Sequence, residues 1–473
     1  MAAIPVSLLQ KLREYSQTHL LNFWDSLSEL QQHHLVEQIE TIDLERLVQC
    51  WKSSVHSVVT EDEARADKAR SPRNVIRQPA TTAERKLWAD ALARGVSELE
   101  AGKVAVITVA GGQGTRLGFD HPKGMFPIGP VSDRSLFQIF AEQILARRRR
   151  HKAQIPWLIM TSDATHAETV DFFQSHAFFG LESGTVHFFQ QGSLPALDAQ
   201  SGQILMIAPD QLTLSPDGHG GLVQALSTSG LLERMKQSGV EHFFYHQVDN
   251  PTVIMVDPAL LGFHLQHASQ LTTNVVCKTS PTERMGVLVD LDGQTQIIEY
   301  SELTPEQAAR KDVAGQWIFW AGNTAIHVFR RDFLEHLASD GGQLPLHVAR
   351  KNVAYIDENG QLQHPSDPAN PNAIKLERFI FDALPLAQQT LIVEGDRARE
   401  FNPVKNKSGN DSAETSRAAL IRIADDWIRQ AGLNPEPGTA IEISPLDALD
   451  CEELSDKVRR GILKLIKHKI TAD

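Results

Sequence analysis

The chain has little cysteine: three residues, Cys50, Cys277 and Cys451, in 473. They lie far apart, with no CxxC or CxxH spacing, so neither a disulfide framework nor a structural zinc site is expected, and free thiols in a reducing compartment fit best. No apolar run approaches the ~18 residues a membrane helix needs. Excess positive charge is also missing. Lys and Arg number 46 against 59 Asp and Glu, a formal net charge of −13, which argues against broad nucleic-acid binding. The start, Met1 to Leu9, has no basic stretch ahead of an apolar one, and is read as no signal peptide. A cytoplasmic protein with neither nucleic-acid nor membrane partners is the expectation. There is no internal repeat and no low-complexity tract.

What remains is ordinary for a globular chain, with 41% hydrophobic and 22% charged residues. Three consecutive segments are expected: a helical region over 1–100, an α/β core over 101–390 and a small C-terminal domain over 391–473. Leu27, Leu30, Leu35 and Ile39 recur at helical spacing, and Ser26 with Glu29 suggests a capping box. Glu61 to Ala80 is charged, contains Pro72 and Pro79, and reads as a linker or surface strap. From Lys103 the pattern changes. Val104–Val109 is a short, apolar, β-branched run, the signature of a buried parallel strand. Similar runs start at Trp157, Val186 and His242, with helices between them, such as Ser135 to Arg150. Strands alternating with helices predict a parallel sheet. Asn274 to Tyr300 reads as antiparallel, turning at Asp292-Gly293, and a helix is expected over Ala418 to Gln430. The run Arg147–Arg150 reads as a solvated helix end, where cations are favourable.

The strongest signal follows the first strand: Val109-Ala110-Gly111-Gly112-Gln113-Gly114-Thr115-Arg116-Leu117-Gly118, then Pro122-Lys123. A glycine-rich turn after a buried strand lets backbone N–H groups approach phosphates closely. Arg116 and Lys123 add fixed positive charge, suited to a triphosphate and to charge building on a leaving pyrophosphate. The dinucleotide fingerprint is excluded because Leu117 stands where its last glycine belongs. The P-loop is excluded because Lys123 follows Pro122 and precedes Gly124.

This loop, with Pro122-Lys123-Gly124-Met125, resembles that of the eukaryotic-type UDP-sugar pyrophosphorylases (UDPGP type 1), and most that of the UDP-N-acetylhexosamine pyrophosphorylases. Leu21-Asn22-Phe23-Trp24, Phe188-Phe189-Gln190-Gln191-Gly192, Pro216-Asp217-Gly218, Val248-Asp249-Asn250, Glu299-Tyr300-Ser301-Glu302, Ala321-Gly322-Asn323 and Asn402-Pro403-Val404-Lys405-Asn406 extend the likeness over nearly the whole chain. The resemblance implies a GT-A-like, Rossmann-like α/β nucleotidyltransferase core with a mixed sheet, an N-terminal helical segment and a small C-terminal domain. It implies transfer of uridylate from UTP to a sugar 1-phosphate, with Mg²⁺. It further implies that Val109, Ala110, Gly111 and Gly112 hold the nucleotide and that Gln191 and Gly218 contact uracil. Glu299 and Tyr300 would read sugar hydroxyls, Asn323 the N-acetyl arm, and Gly286 would allow close approach to the sugar. Lys375 and Lys405 would hold phosphates beside Arg116 and Lys123, and Asp249, ending an apolar strand, would place the metal.

One position departs from the pattern. N-acetylhexosamine members usually read Asp-Gly-Asn-Gly-Gly where this chain has Asp217-Gly218-His219-Gly220-Gly221. A histidine there is more like the UDP-glucose and broad-specificity branches. N-acetylglucosamine 1-phosphate is the expected substrate, with glucose 1-phosphate or mixed use as the alternative.

Overall fold

A computed structural model describes residues 4–56, 60–339, 344–436, 438–466 and 469–472, without the side chains of 54–56, 60–63, 464–466 and 469–472. The chain folds as two compact units. One comprises Met1–Ala64, Gln191–Leu222 and Gln343–Asp382; the other comprises Arg65–Gln190, Val223–Gly342 and Ala383–Asp473. The units interleave along the chain, whereas the sequence reading expected three consecutive segments.

In the first unit, helices Val6–Glu14, Glu29–Glu40 and Leu44–His56 bury Leu12, Leu35, Ile39 and Leu47 against Leu197, Ile204, Ile374 and Leu376. Those partners come from an antiparallel three-stranded sheet of His347–Lys351, Ala373–Glu377 and Leu197–Asp198, and from the turn that follows it. The buried Gln17 side chain joins the segments. Its Nε2 donates to Gly202 O at 3.1 Å, and its Oε1 accepts from Ile204 N at 2.9 Å. The capping box expected at Ser26 lies at Ser28, whose Oγ accepts from Gln31 N. Ser26 instead donates its hydroxyl to Phe23 O at 2.6 Å.

The second unit is built on a mixed sheet: β1 Val75–Ile76, β2 Val104–Val109, β3 Trp157–Thr161, β4 Val186–Gln190, β5 His242–Gln247, β6 Leu271–Cys277, β7 Val287–Leu291, β8 Gln294–Ile298, β9 Ala321–Arg330 and β10 Thr390–Glu394. The order is β1-β10-β6-β9-β5-β2-β3-β4, with the β7–β8 hairpin joined to β9. Along this path β9 alone is antiparallel to its neighbours. The C-terminal ends of the other seven strands and the N-terminal end of β9 therefore share one edge, where open α/β sheets present ligands. The strap read at Glu61–Ala80 contributes helix Thr60–Lys68 and then β1, which pairs with β10 at the sheet's end.

The sheet packs on helix Leu136–His151, around Phe137, Phe140, Trp157 and Phe173. The arginine run is not a solvated helix end. Arg147 is buried and donates to Met255 O, and Arg148 donates to Ile155 O. Arg150 pairs with Asp450 and Glu453. Successive helical residues point about 100° apart, so a four-residue run must turn part of itself inward. The helix expected over Ala418 to Gln430 starts earlier, at Ala413, because Ser412 and Thr415 form its capping box. Among the described residues no helix is long and apolar enough to cross a membrane.

Three buried polar groups fix the middle of the sheet. Trp157 Nε1 donates to Thr108 Oγ1 at 2.7 Å, and Thr108 Oγ1 lies 2.7 Å from His246 Nε2. Gln247 O, 3.0 Å from His246 Nδ1, can only accept, so neutral His246 carries its proton on Nδ1 and the Thr108 hydroxyl donates to Nε2. Burial pushes the His246 pKa down to about 4. Thr108→Val leaves the Trp157 donor and the His246 acceptor unpaired. It should cost about 1–3 kcal/mol for each, read as a lowered urea midpoint; an unchanged midpoint would refute this account of the core.

Candidate active site

The glycine loop leaves the sheet edge directly from β2. Ala110 is buried, and its N–H donates to Met160 O at 2.7 Å, continuing the ladder. The carbonyls that follow are tied down. Gly111 O accepts from Ser162 Oγ at 2.8 Å and Gly112 O from Lys123 N at 3.0 Å. Among the described residues the N–H groups of Gly111 and Gly112 have no protein acceptor. The glycines differ in what requires them. A Cβ at Gly114 would stand 2.7 Å from Phe119 O, so the loop's own packing demands glycine there. A Cβ at Gly112 would meet nothing within 4 Å, so the protein itself leaves that space clear.

Lys123 and Asp249 lie next to this loop. Lys123 Nζ is 3.5 Å from Asp249 Oδ2, and the two side chains are only 17% and 16% exposed. Burial pushes the Asp249 carboxyl up, but the Lys123 and Lys405 ammoniums and the hydrogen bond from Lys123 outweigh it, and its pKa falls below the ordinary carboxylate value. Asp249 is therefore ionised at neutral pH, between two cations. Lys405 sits over the Phe401 ring, 5.6 Å from its centroid.

The same edge opens into a cleft of about 1160 Å³ whose walls include Arg116, Tyr300, Arg397 and Lys405. Beside it the antiparallel part of the sheet gathers three further residues. Asn323 N donates to Gly286 O at 2.9 Å, and a Cβ on Gly286 would lie 2.6 Å from Glu299 Oε1. The Asn323 side-chain oxygen accepts from Ala325 N at 3.0 Å, which leaves its NH₂ group facing elsewhere. Thus the second unit brings together Arg116, Tyr300 and Lys405, then Lys123 with Asp249, and Gly286 with Glu299 and Asn323.

Gln191, Gly218, His219 and Lys375 belong to the first unit. Strand Ala373–Glu377, which carries Lys375, runs into Arg378, and the Asp217–Gly221 loop is clamped onto that point. Arg378 N donates to Asp217 O at 2.7 Å, Gly220 N donates to Arg378 O at 2.8 Å, and Arg378 Nη1 is 3.1 Å from Asp217 Oδ2. Gly218 has φ +83°, and a Cβ there would stand 2.5 Å from Arg378 O; only glycine meets both conditions. His219 stacks on Phe379 at 5.3 Å and 20°, and Phe379 stacks on His347 at 4.3 Å. His219 Nδ1 accepts from Ile380 N at 3.1 Å. Burial, then the neighbouring His347, pushes its pKa down to about 4. His219 is therefore neutral at pH 7, with its proton on Nε2, and that nitrogen is purely a donor.

The sequence reading passed over Arg397, which lines the cleft and is bound to Glu283 and to Cys277 O. Asn250 is 3% exposed, and both side-chain atoms are committed to protein partners, so it shapes a loop. Within the charge-rich segment Asp396–Glu400, nothing in the sequence marks Glu400 as the residue that will be buried.

Known proteins share this arrangement of chain. The family model described as UTP–glucose-1-phosphate uridylyltransferase (UDPGP) matches residues 51–456. The chain is 35% identical over 456 residues to the UDP-N-acetylglucosamine pyrophosphorylase of Saccharomyces cerevisiae, covering 93% of this chain and 95% of that one. It is 36% identical over 453 residues to the UDP-N-acetylhexosamine pyrophosphorylase-like protein 1 of Xenopus tropicalis, covering 92% and 87%. The crystal structure of the uridine diphosphate N-acetylglucosamine pyrophosphorylase from Trypanosoma brucei superposes with a TM-score of 0.79 at 25% identity, covering 97% and 96%. By the family model that matches most of its length and by relatives at 35–36% identity, the chain belongs to the UDPGP family of uridylyltransferases.

Proposed function

We infer that this protein joins UTP and N-acetylglucosamine 1-phosphate to give UDP-N-acetylglucosamine and pyrophosphate. The observation that carries the reading is the pair of N–H groups at Gly111 and Gly112, without a protein acceptor among the described residues, set at the sheet edge that also holds Lys123, Asp249 and Lys405. Names of the yeast and Trypanosoma brucei relatives support the sugar.

The chemistry needs no protein nucleophile. An oxygen of the sugar phosphate attacks the α-phosphorus of UTP, the bond to the β-phosphate oxygen breaks, and the electron pair leaves on pyrophosphate. Catalysis is then positioning and charge neutralisation. The Val109–Gly112 backbone, Arg116 and Lys123 take the triphosphate side, and Lys375 and Lys405, for which the support is the match of motifs, take the attacking sugar phosphate and the α-phosphate. Gln191 and Gly218 read the uracil, for which the support is the match of motifs. Glu299 and Tyr300 read sugar hydroxyls, next to Gly286. The NH₂ of Asn323, which has no acceptor among the described residues, suits an acetamide oxygen.

Mg²⁺ fits Asp249 in the way this ion is usually held, by one ionised carboxylate plus substrate phosphates and water. It would supply charge neutralisation on the phosphates. Among the described residues, three His, Cys, Asp or Glu side chains converge on one point only at Glu98, Glu241 and His242, which lie at the opposite edge of the sheet, so an all-protein cage at Asp249 is not expected. Free thiols and the acidic balance support a cytoplasmic setting.

His219 in the place of an asparagine favours a second reading, UDP-glucose or mixed synthesis. Pyrophosphate release from UTP, assayed with the acetylated and the plain sugar 1-phosphate in parallel, decides between them. Preference for N-acetylglucosamine 1-phosphate is expected; preference for glucose 1-phosphate would overturn the substrate, and release with neither would overturn the reaction.

Lys123→Ala should lower kcat by on the order of 10²-fold, by analogy with the loss of one preorganised donor; near-full turnover would remove Lys123 from the mechanism. EDTA should abolish turnover and added Mg²⁺ restore it, whereas turnover untouched by the chelator would exclude the metal. Nitrogen NMR of His219 should show the Nε2–H tautomer, still neutral at pH 5, since its folded pKa of about 4 lies below that pH. An imidazolium at pH 5 would contradict the Ile380 hydrogen bond.

A further inference from the structure

The segment Asp396–Asn406 lines the cleft and carries Lys405. Buried polar groups from two other parts of the sheet hold it in place. Asn250 Nδ2 donates to Glu400 O at 2.6 Å, and its Oδ1 accepts from Asn402 N at 3.2 Å and from Thr252 Oγ1 at 3.0 Å. Asp249 O accepts from Val404 N at 2.8 Å. The Glu400 carboxyl points the other way. One oxygen accepts from Asp396 N at 2.7 Å and the other from Asn274 Nδ2 at 3.2 Å. Asn274, 2% exposed, sits in β6 where the register with β9 shifts, and its Oδ1 accepts from Thr324 Oγ1 at 2.9 Å. Thr324 follows Asn323 directly. Buried hydrogen bonds therefore link Thr324, next to Asn323, through Asn274 to the Glu400 carboxyl, and Asn250, next to Asp249, to the Glu400 carbonyl.

We propose that Glu400 and Asn250 are positioning residues that lock Lys405 beside Asp249 and tie both to the Asn323 bulge. The inference rests on the roles given above to Lys405 and Asp249. Neither residue touches the cleft's contents in this account; both act on where the ammonium stands. Displacements of about 1 Å in such a site can cost on the order of 10²-fold in rate. Both Glu400 oxygens accept from N–H donors, so an amide of the same shape can keep only one of the two bonds.

The test compares Glu400→Ala, Asn250→Ala and Glu400→Gln with the unaltered full chain. The alanine variants should lose on the order of 10²-fold in kcat, with a far smaller change in the KM for UTP. Amide hydrogen exchange at Val404 and Lys405, neither of which bonds to a replaced side chain, should accelerate by about tenfold or more while the central strands stay protected. Glu400→Gln, which keeps the side chain's length and one accepting oxygen, should lie between Glu400→Ala and the unaltered chain in both kcat and that protection. Unchanged exchange with unchanged kcat would overturn the proposal. So would exchange accelerated uniformly across the sheet in all three variants, which marks a merely structural role. An unaltered chain that releases no pyrophosphate would instead overturn the proposed reaction, and local exchange at Val404 and Lys405 would still report whether the lock exists.

Discussion

Two lysines keep one half-buried carboxylate ionised, and the active-site account depends on that grouping. Alone, Asp249 would be pushed towards protonation by its burial; the charges of Lys123 and Lys405 reverse the sign. The grouping is close to charge balance without substrate, and carries an excess of positive charge. It suits a site that receives highly charged phosphates and must release one of them as pyrophosphate.

The three members come from distant parts of the sequence, and the sheet is what makes them neighbours. β2 delivers the glycine loop and, a short 3₁₀ turn later, Lys123. β5, parallel to β2, delivers Asp249 just past its C-terminal end. β10, parallel to β6, leads into the segment that carries Lys405. Because β9 runs opposite to both strands that flank it, its first residues reach the same edge and place Asn323 there. A sheet with β9 reversed would put Asn323 on the far side of the unit. Strand polarity thus decides which side chains share a site, and the buried amides Asn250 and Asn274 decide how firmly they are held.

Much of the second unit's framework was legible in the residues. The strands at 104, 157, 186 and 242 are apolar, β-branched or aromatic runs with punctuation at their ends, and local signals of that kind survive in the fold. The glycine loop was legible for the same reason, and so was Asp249 at the end of its strand. Other features depend on partners far along the chain, which periodicity does not encode. The first unit is assembled from three separated segments, held by residues such as Gln17 whose polar side chains give no hint of burial. Arg147 and Arg148 look solvated in sequence and are satisfied by carbonyls at 255 and 155. Glu400 reads as one more surface acid. His219 was visible as a departure, but its stacking, and hence its fixed proton, required the positions of Phe379, Ile380 and His347.

The most direct test of the account is to run the reaction backwards and follow it by phosphorus NMR. UDP-N-acetylglucosamine and pyrophosphate, with Mg²⁺ and the full-length protein, should give the three resonances of UTP together with that of N-acetylglucosamine 1-phosphate. That result requires one site to hold pyrophosphate and the α-phosphorus in line, as the Lys123–Asp249–Lys405 grouping implies. Appearance of UMP and inorganic phosphate without UTP would show hydrolysis in place of transfer, and would contradict it.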